Sequence, residues 1–163
     1  MSKYVVNPSR CNFIRKNFFQ WSFDSPRDFV PSKDLFAQLA HPAELHFLAS
    51  IYNWDDGSIV LEWILASELC SRSTANLLFW RAAPDWYLRC DINDESSCPD
   101  FNRDGFRVLR KVVEKYELCS FSKYQIAFNP KDEIESCVEK NPRWSFPPGV
   151  YDEIHGIQVV FEG

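Results

Sequence analysis

The apolar positions of the chain follow three different rhythms. Leu45, Leu48, Ala49 and Tyr52 sit at i, i+3, i+4 and i+7, the spacing of one buried face of an α-helix. Pro42 suits the first turn of that helix, and Asn53-Trp54-Asp55-Asp56-Gly57 is a turn-forming cluster that stops it. Ala75, Leu78, Phe79 and Ala82 repeat the stripe behind a cap at Ser71 or Ser73, and Pro84 ends or restarts that helix. Between these two, residues 58–69 contain Ile59, Val60, Leu61, Trp63, Ile64 and Leu65. A helix apolar nearly all round belongs in the centre of a fold. Phe106, Leu109, Val113 and Tyr116 predict a further helix over residues 103–117, and Ser32 is placed to cap a short one over residues 33–40. Helices joined by short connections pack as antiparallel neighbours. The polar run 91–102 predicts an exposed loop.

Both ends of the chain break this rhythm. Residues 1–31 hold Phe13, Phe18, Phe19, Trp21, Phe23 and Phe29 without a sustained period, so they predict an irregular arm that packs through its rings or meets a partner. In residues 118–163, Tyr124, Ile126 and Phe128 alternate with Gln125 and Ala127, and residues 157–161 form a second β-branched and aromatic run. Two short strands are expected, with a turn of helix around 132–138 between them and Asn-Pro and Pro-Pro-Gly breaks elsewhere. The expected fold is therefore mainly α (α+β): a compact multi-helix bundle with a short C-terminal β-hairpin or strand pair. It reads as a single domain over 1–163, with an arm at 1–31, a helical core at 32–117 and strands and loops at 118–163.

Composition narrows the function. With 163 residues, 45% of them hydrophobic, the chain is long enough to build a core without disulfide or metal staples. Cys11, Cys70, Cys90, Cys98, Cys119 and Cys137 are scattered rather than paired, and the first thirty residues interrupt every apolar run, so a reduced cytoplasmic protein without a secretory signal is expected. No run approaches the roughly 18 to 20 apolar residues of a membrane span. The net charge of -5 hides an asymmetry: residues 1–30 carry five basic and two acidic side chains, which leaves -8 for the remainder. An acidic body argues against nucleic acid as the partner and fits a basic protein, although acidity also serves plain solubility.

Catalytic signatures are missing. His41, His46 and His155 are the only histidines, and none lies in a nucleophile-elbow or cysteine-protease pattern. His41 before Pro42 suits a helix start, and His46 a structural role. Cys90 and Cys98, the nearest cysteines, are eight apart with no second pair to complete a zinc site, and no calcium-loop spacing or glycine-rich phosphate cradle exists. No metal or cofactor is expected. Two groups remain as candidate partner-binding surfaces. One is Trp54 with Asp55 and Asp56, an aromatic and two acids at a turn. Its structural account is that Gly57 permits the turn while either carboxylate accepts from the free amides of the next helix. The other is Asp91, Asp94, Glu95 and Asp100, in a stretch to Asp104 with only Arg103 as counter-charge and a net of -4. That stretch is either a solvated loop or a surface for a basic partner, and a two-carboxylate enzyme is the remaining alternative.

Tyr52-Asn53-Trp54-Asp55-Asp56-Gly57, then Thr74-Ala75-Asn76-Leu77-Leu78-Phe79-Trp80 with Tyr87, and later Ile126-Ala127-Phe128-Asn129-Pro130 with an echo at 147–156, resemble a bacterial domain-of-unknown-function family, number 4274. The resemblance spans roughly 42–156. It implies small bacterial cytoplasmic proteins, often encoded beside polymorphic or secreted toxins, and so an immunity protein that blocks the active site of a cognate toxin, with a basic nuclease domain as one such toxin. An adaptor or chaperone for a secreted effector is the alternative that binds without inhibiting. The resemblance carries no functional residues with it.

Overall fold

A computed structural model describes residues 1–19, 30–134 and 139–161. In chain order the regular elements are β1 (Lys3–Val6), α1 (Pro8–Phe18), α2 (Lys33–Phe36), α3 (Pro42–Ile51), α4 (Ile59–Ala66), α5 (Arg72–Arg81), α6 (Arg103–Leu118) and β2 (Gln158–Phe161). Short 3-10 turns punctuate the connections at Trp54–Asp56, Pro84–Tyr87, Glu95–Ser97, Asp100–Asn102, Pro130–Asp132 and Pro148–Tyr151. The mainly helical α+β class expected from the pattern holds.

Local chemistry starts most of these helices where it should. Ser32 accepts from the Leu35 amide at the head of α2, Ser71 from the Thr74 amide at the head of α5, and Asn7 from the Arg10 amide at the head of α1. At α3 the cap is His41, whose Nδ1 accepts from the Ala43 amide while Pro42 occupies the first turn. The helix expected over 33–40 closes after Phe36, because the chain there tightens into i→i−3 bonds and the Ala40 amide is taken by the Glu44 carboxylate at 2.8 Å.

The centre of the fold is α5, not α4. Every residue from Ser73 to Trp80 is buried, including Ser73, Thr74 and Asn76. Their polar atoms are satisfied internally: Ser73 donates to the Ile126 carbonyl, Thr74 Oγ1 lies 3.0 Å from both Ser71 Oγ and His46 Nδ1, and Asn76 donates to the Gly149 carbonyl at 3.1 Å while accepting from the Tyr116 hydroxyl. A buried polar group that finds its partners costs little, so α5 sits in the core despite its composition. In contrast, α4 buries Val60, Leu61, Ile64 and Leu65 against the fold and leaves Ile59 exposed. Around α5 pack α3 and α6; α4 lies against α6, and α1 against α3.

Residues 1–18 correct the expectation of an irregular arm. They form β1 and α1, and α1 buries Cys11, Ile14 and Phe18 at i, i+3 and i+7. A four-residue strand is too short to show a period, and the helical stripe was masked by Phe13 and Phe19 lying off it. Arg10 and the buried Glu44 form an ion pair that fastens α1 to α3, and Tyr4 stacks on His41 at 3.9 Å. Trp21, Phe23 and Phe29 lie outside the described residues.

The strands also pair differently from the expected neighbours. β2 runs parallel to β1, with Lys3 opposite Gln158 and Val6 opposite Phe161. The alternating segment at 124–128 contributes only single bridges, Ile126 to Ile157 and Phe128 to Ile154. The helix turn expected at 132–138 is a 3-10 turn at Pro130–Asp132, and residues 135–138 lie outside the described residues. Cys11, Cys70, Cys90 and Cys98 are buried and Cys119 is exposed; Cys137 lies outside the described residues. Among the described residues no helix is long and apolar enough to cross a membrane.

Candidate functional site

The two candidate surfaces meet at one end of the molecule, where α4 and α6 begin. Ser58, the residue before α4, places its hydroxyl 3.0 Å from Glu62 Oε2 and 3.1 Å from Asp104 Oδ1 in the first turn of α6. The opposite ends of the same helices meet around a cleft of about 280 Å³ that includes Leu65 of α4 and Leu118 of α6. The pair is therefore parallel, and both positive helix N-termini point to the same end. That field is one physical reason for carboxylates to gather there.

The turn before α4 is built by other atoms than the sequence suggests. Asn53, not an aspartate, caps it by accepting from the Asp55 amide at 3.1 Å. Gly57 takes φ +85°, a left-handed conformation that favours glycine, and its carbonyl accepts from the Tyr52 hydroxyl at 3.0 Å. Asp55 and Asp56 consequently project outward with exposed side chains, and neither caps α4. Burial and the neighbouring Asp55 charge raise the Asp56 carboxyl above the ordinary carboxylate value. Burial, with Asp56 and Asp104 nearby, likewise raises the Tyr52 hydroxyl and keeps it a donor. Trp54 is half-buried, and its Nε1 is covered without a partner among the described residues.

The second group, 91–102, is less free than an exposed loop. Ile92 and Cys98 are buried, and Ser97 Oγ ties the loop to itself by contacts to the Asp91 amide at 2.8 Å and the Asp94 carbonyl at 2.6 Å. Cys98 also hydrogen-bonds Cys90 at the base of the loop; burial and that neighbour push its thiol up to about 11. Most of the acids have partners within the chain: Asp91 with Arg143, Glu95 with Arg107 at 2.8 Å, and Asp100 with Arg103 at 2.6 Å. Asp94 accepts from the Ser96 amide and hydroxyl, which hold its carboxyl below the usual range. The net charge counted along the sequence thus overstates the charge this loop offers to a partner, because Arg107 and Arg143 approach from elsewhere.

Between the two groups lies a feature that the sequence reading missed. Phe101 is 86% exposed one turn before Asp104, and Ile59, directly after Ser58, is 53% exposed. Asp55 and Asp56 lie within four residues of Ile59, and Asp104 three after Phe101, so the adjoining starts of α4 and α6 carry both exposed apolar and exposed acidic side chains. The signal was a lone phenylalanine in a polar segment, where hydrophobic spacing has nothing to repeat.

Two of the three histidines, His41 and His46, are engaged structurally. His41 caps α3 between Tyr4 and Tyr124, and burial lowers its pKa. His46 is pulled down to about 4 by burial and by Arg81, so it stays neutral against Thr74 inside the fold. Among the described residues no group of three His, Cys, Asp or Glu side chains is placed to hold a metal ion.

Residues 40–117, from the residue before the His41 cap to the last turn of α6, match the model of a family described as a domain of unknown function (DUF4274). The match supports the resemblance in the stretch that carries the Trp54-Asp55-Asp56-Gly57 turn and α5; it stops short of the motifs at 126–130 and 147–156. No curated protein and no solved structure matches the chain.

Proposed function

We propose that the protein is a binding module of the immunity type, which neutralises a cognate toxin by covering its active site from the end where α4 and α6 begin. The observation that carries this reading is the exposure of Ile59 and Phe101 at the adjoining starts of α4 and α6, which also carry the exposed acids Asp55, Asp56 and Asp104. Interfaces concentrate their energy in a few large apolar anchors, and a charged border steers the encounter. A basic catalytic groove, such as that of a nuclease, is the complementary surface, and rapid association follows from the opposite charges. The family resemblance, with its implied cytoplasmic setting beside toxin genes, favours inhibition over mere attachment.

The test is capture from the protein's own cells at moderate salt, identification of the stoichiometric partner, and expression of that partner with and without this chain. A partner that is toxic alone and harmless in the complex is the expected result. A partner that keeps its activity when bound turns the reading into that of an adaptor. Absence of any partner rejects it. At the interface, Asp55→Lys with Asp56→Lys is expected to slow association about tenfold and flatten its salt dependence, while dissociation changes less.

A further inference from the structure

The loop 91–97 is drawn into a closed ring at its neck. Ser97 Oγ accepts from the Asp91 amide at 2.8 Å and lies 3.2 Å from the Asp91 carbonyl oxygen, so the residues just inside Cys90 and Cys98 are fastened to each other. The cysteines themselves are placed by the 3-10 turns that precede them. The Cys90 amide donates to the Tyr87 carbonyl at 3.0 Å, and the Cys98 amide to the Glu95 carbonyl at 3.1 Å. The two thiols consequently meet beneath the loop, in hydrogen-bond contact with each other. Both also face the Tyr87 hydroxyl, which burial and the two thiols raise to about 12. Cys90 and Cys98 keep 4% and 3% of their surface exposed, whereas Cys11 and Cys70 are shut off at 0%.

We propose that Cys90 and Cys98 form a redox-sensitive clasp, a dithiol that the fold holds ready to close into a disulfide across the neck of the loop 91–97 when glutathione disulfide is in excess. The step is two successive exchanges. One cysteine, deprotonated, attacks a sulfur of glutathione disulfide and displaces a glutathione thiolate, leaving a mixed disulfide; the second, deprotonated, attacks the protein sulfur of that bond and displaces the other glutathione. The pair loses two protons and two electrons, and glutathione disulfide is reduced to two glutathiones. A disulfide needs Cα atoms about 4.4–6.8 Å apart and sulfurs at about 2.05 Å, a geometry that thiols already in contact across a fastened neck are well placed to reach. The reduced form is the resting one, because burial and the neighbouring Cys90 raise the Cys98 thiol and keep it a poor nucleophile until the loop opens. Closure stiffens the segment that carries Glu95, which is paired at 2.8 Å with Arg107 of α6. The inference does not depend on which partner the protein binds.

The experiment equilibrates the full chain in glutathione redox buffers, traps the remaining thiols by alkylation and maps the products by mass spectrometry. Cleavage after Arg89 and Arg103 leaves both cysteines on one peptide, and further cleavage after Glu95 separates them unless a bond joins them. The expected product is that peptide two hydrogens lighter, with Cys90 and Cys98 protected together from alkylation. The effective concentration of the pair, read from the glutathione ratio at half-oxidation, should fall about tenfold or more in urea, where the fold no longer holds the thiols together. Cys98→Ser should abolish the protected product. The proposal is overturned by bonds from either cysteine to Cys119 or Cys137 in its place, by a pair that stays reduced when glutathione disulfide dominates, or by an equal effective concentration in urea. Should Cys98→Ser not fold, the native and urea comparison on the unmodified chain decides.

Discussion

Glu44 is buried, and its carboxylate holds together three pieces of chain: it pairs with Arg10 of α1, accepts from the Ala40 amide and sits on α3. Burial alone would raise its pKa, but the Arg10 guanidinium and the Ala40 amide more than offset that and hold the carboxyl below its ordinary 4.5. A carboxyl depressed in the folded state contributes stability above its unfolded pKa and loses it as pH falls through the folded value. Arg10→Ala should therefore cost about 2 kcal/mol at neutral pH, a figure reduced for the 30% exposure of the arginine, by leaving the carboxylate buried without its partner. The deficit should shrink when urea melts are repeated below the ordinary carboxylate range, because without Arg10 burial favours the protonated form of Glu44. A deficit independent of pH would mean that Arg10 acts through packing. Asn76 sets a second test: Asn76→Ala strands the Gly149 carbonyl and the Tyr116 hydroxyl and should cost about 2–3 kcal/mol, whereas Tyr116→Phe removes one donor and should cost about 1. At this scale the sequence made His41 legible as a helix-start residue, because the following Pro42 marks the position. It did not reveal that Asn53 caps the turn or that Asp55 and Asp56 are left outward, since each of the three has a side-chain oxygen within the same four-residue turn.

Among the elements, α3, α5 and α6 were readable because each repeats apolar residues at helical spacing. Their relative depth was not, since α5 hides Ser73, Thr74 and Asn76 behind bonds to residues 126 and 149, far along the chain. The same reason hid β1, whose partner β2 lies at the other end of the sequence. Side-by-side packing of α6 with the Pro84–Tyr87 turn depends on a glycine: a Cβ on Gly105 would collide with the Tyr87 hydroxyl and ring. Gly105→Ala should lower stability by about 1–2 kcal/mol, with overpacking outweighing the gain in helix propensity. Thermal melts should show partial recovery in the double variant with Tyr87→Phe. Loss that Tyr87→Phe leaves untouched would place the cost elsewhere in the helix.

For the molecule as a whole, charge counted along the sequence and charge presented in space differ. The stretch 91–104 sums to a strong negative run, yet Arg103, Arg107 and Arg143 meet three of its acids, and the surface pairs they form contribute little to stability. What survives folding is a smaller set of exposed acids, Asp55, Asp56 and Asp104, at the starts of α4 and α6, which adjoin because the two helices are parallel. No local spacing encodes that arrangement.

The decisive measurement is quantitative binding of the captured partner to the unmodified chain and to Phe101→Asp with Ile59→Asp, alongside melts that establish that the variant is folded. Both positions are exposed, so the fold should stand within about 0.5 kcal/mol. Affinity is expected to fall by about 30-fold or more, the effect of losing a contact worth at least 2 kcal/mol, and protection from the partner should fail with it. A folded variant that binds and protects as well as the original chain would contradict the account and move the interface to another face of the molecule.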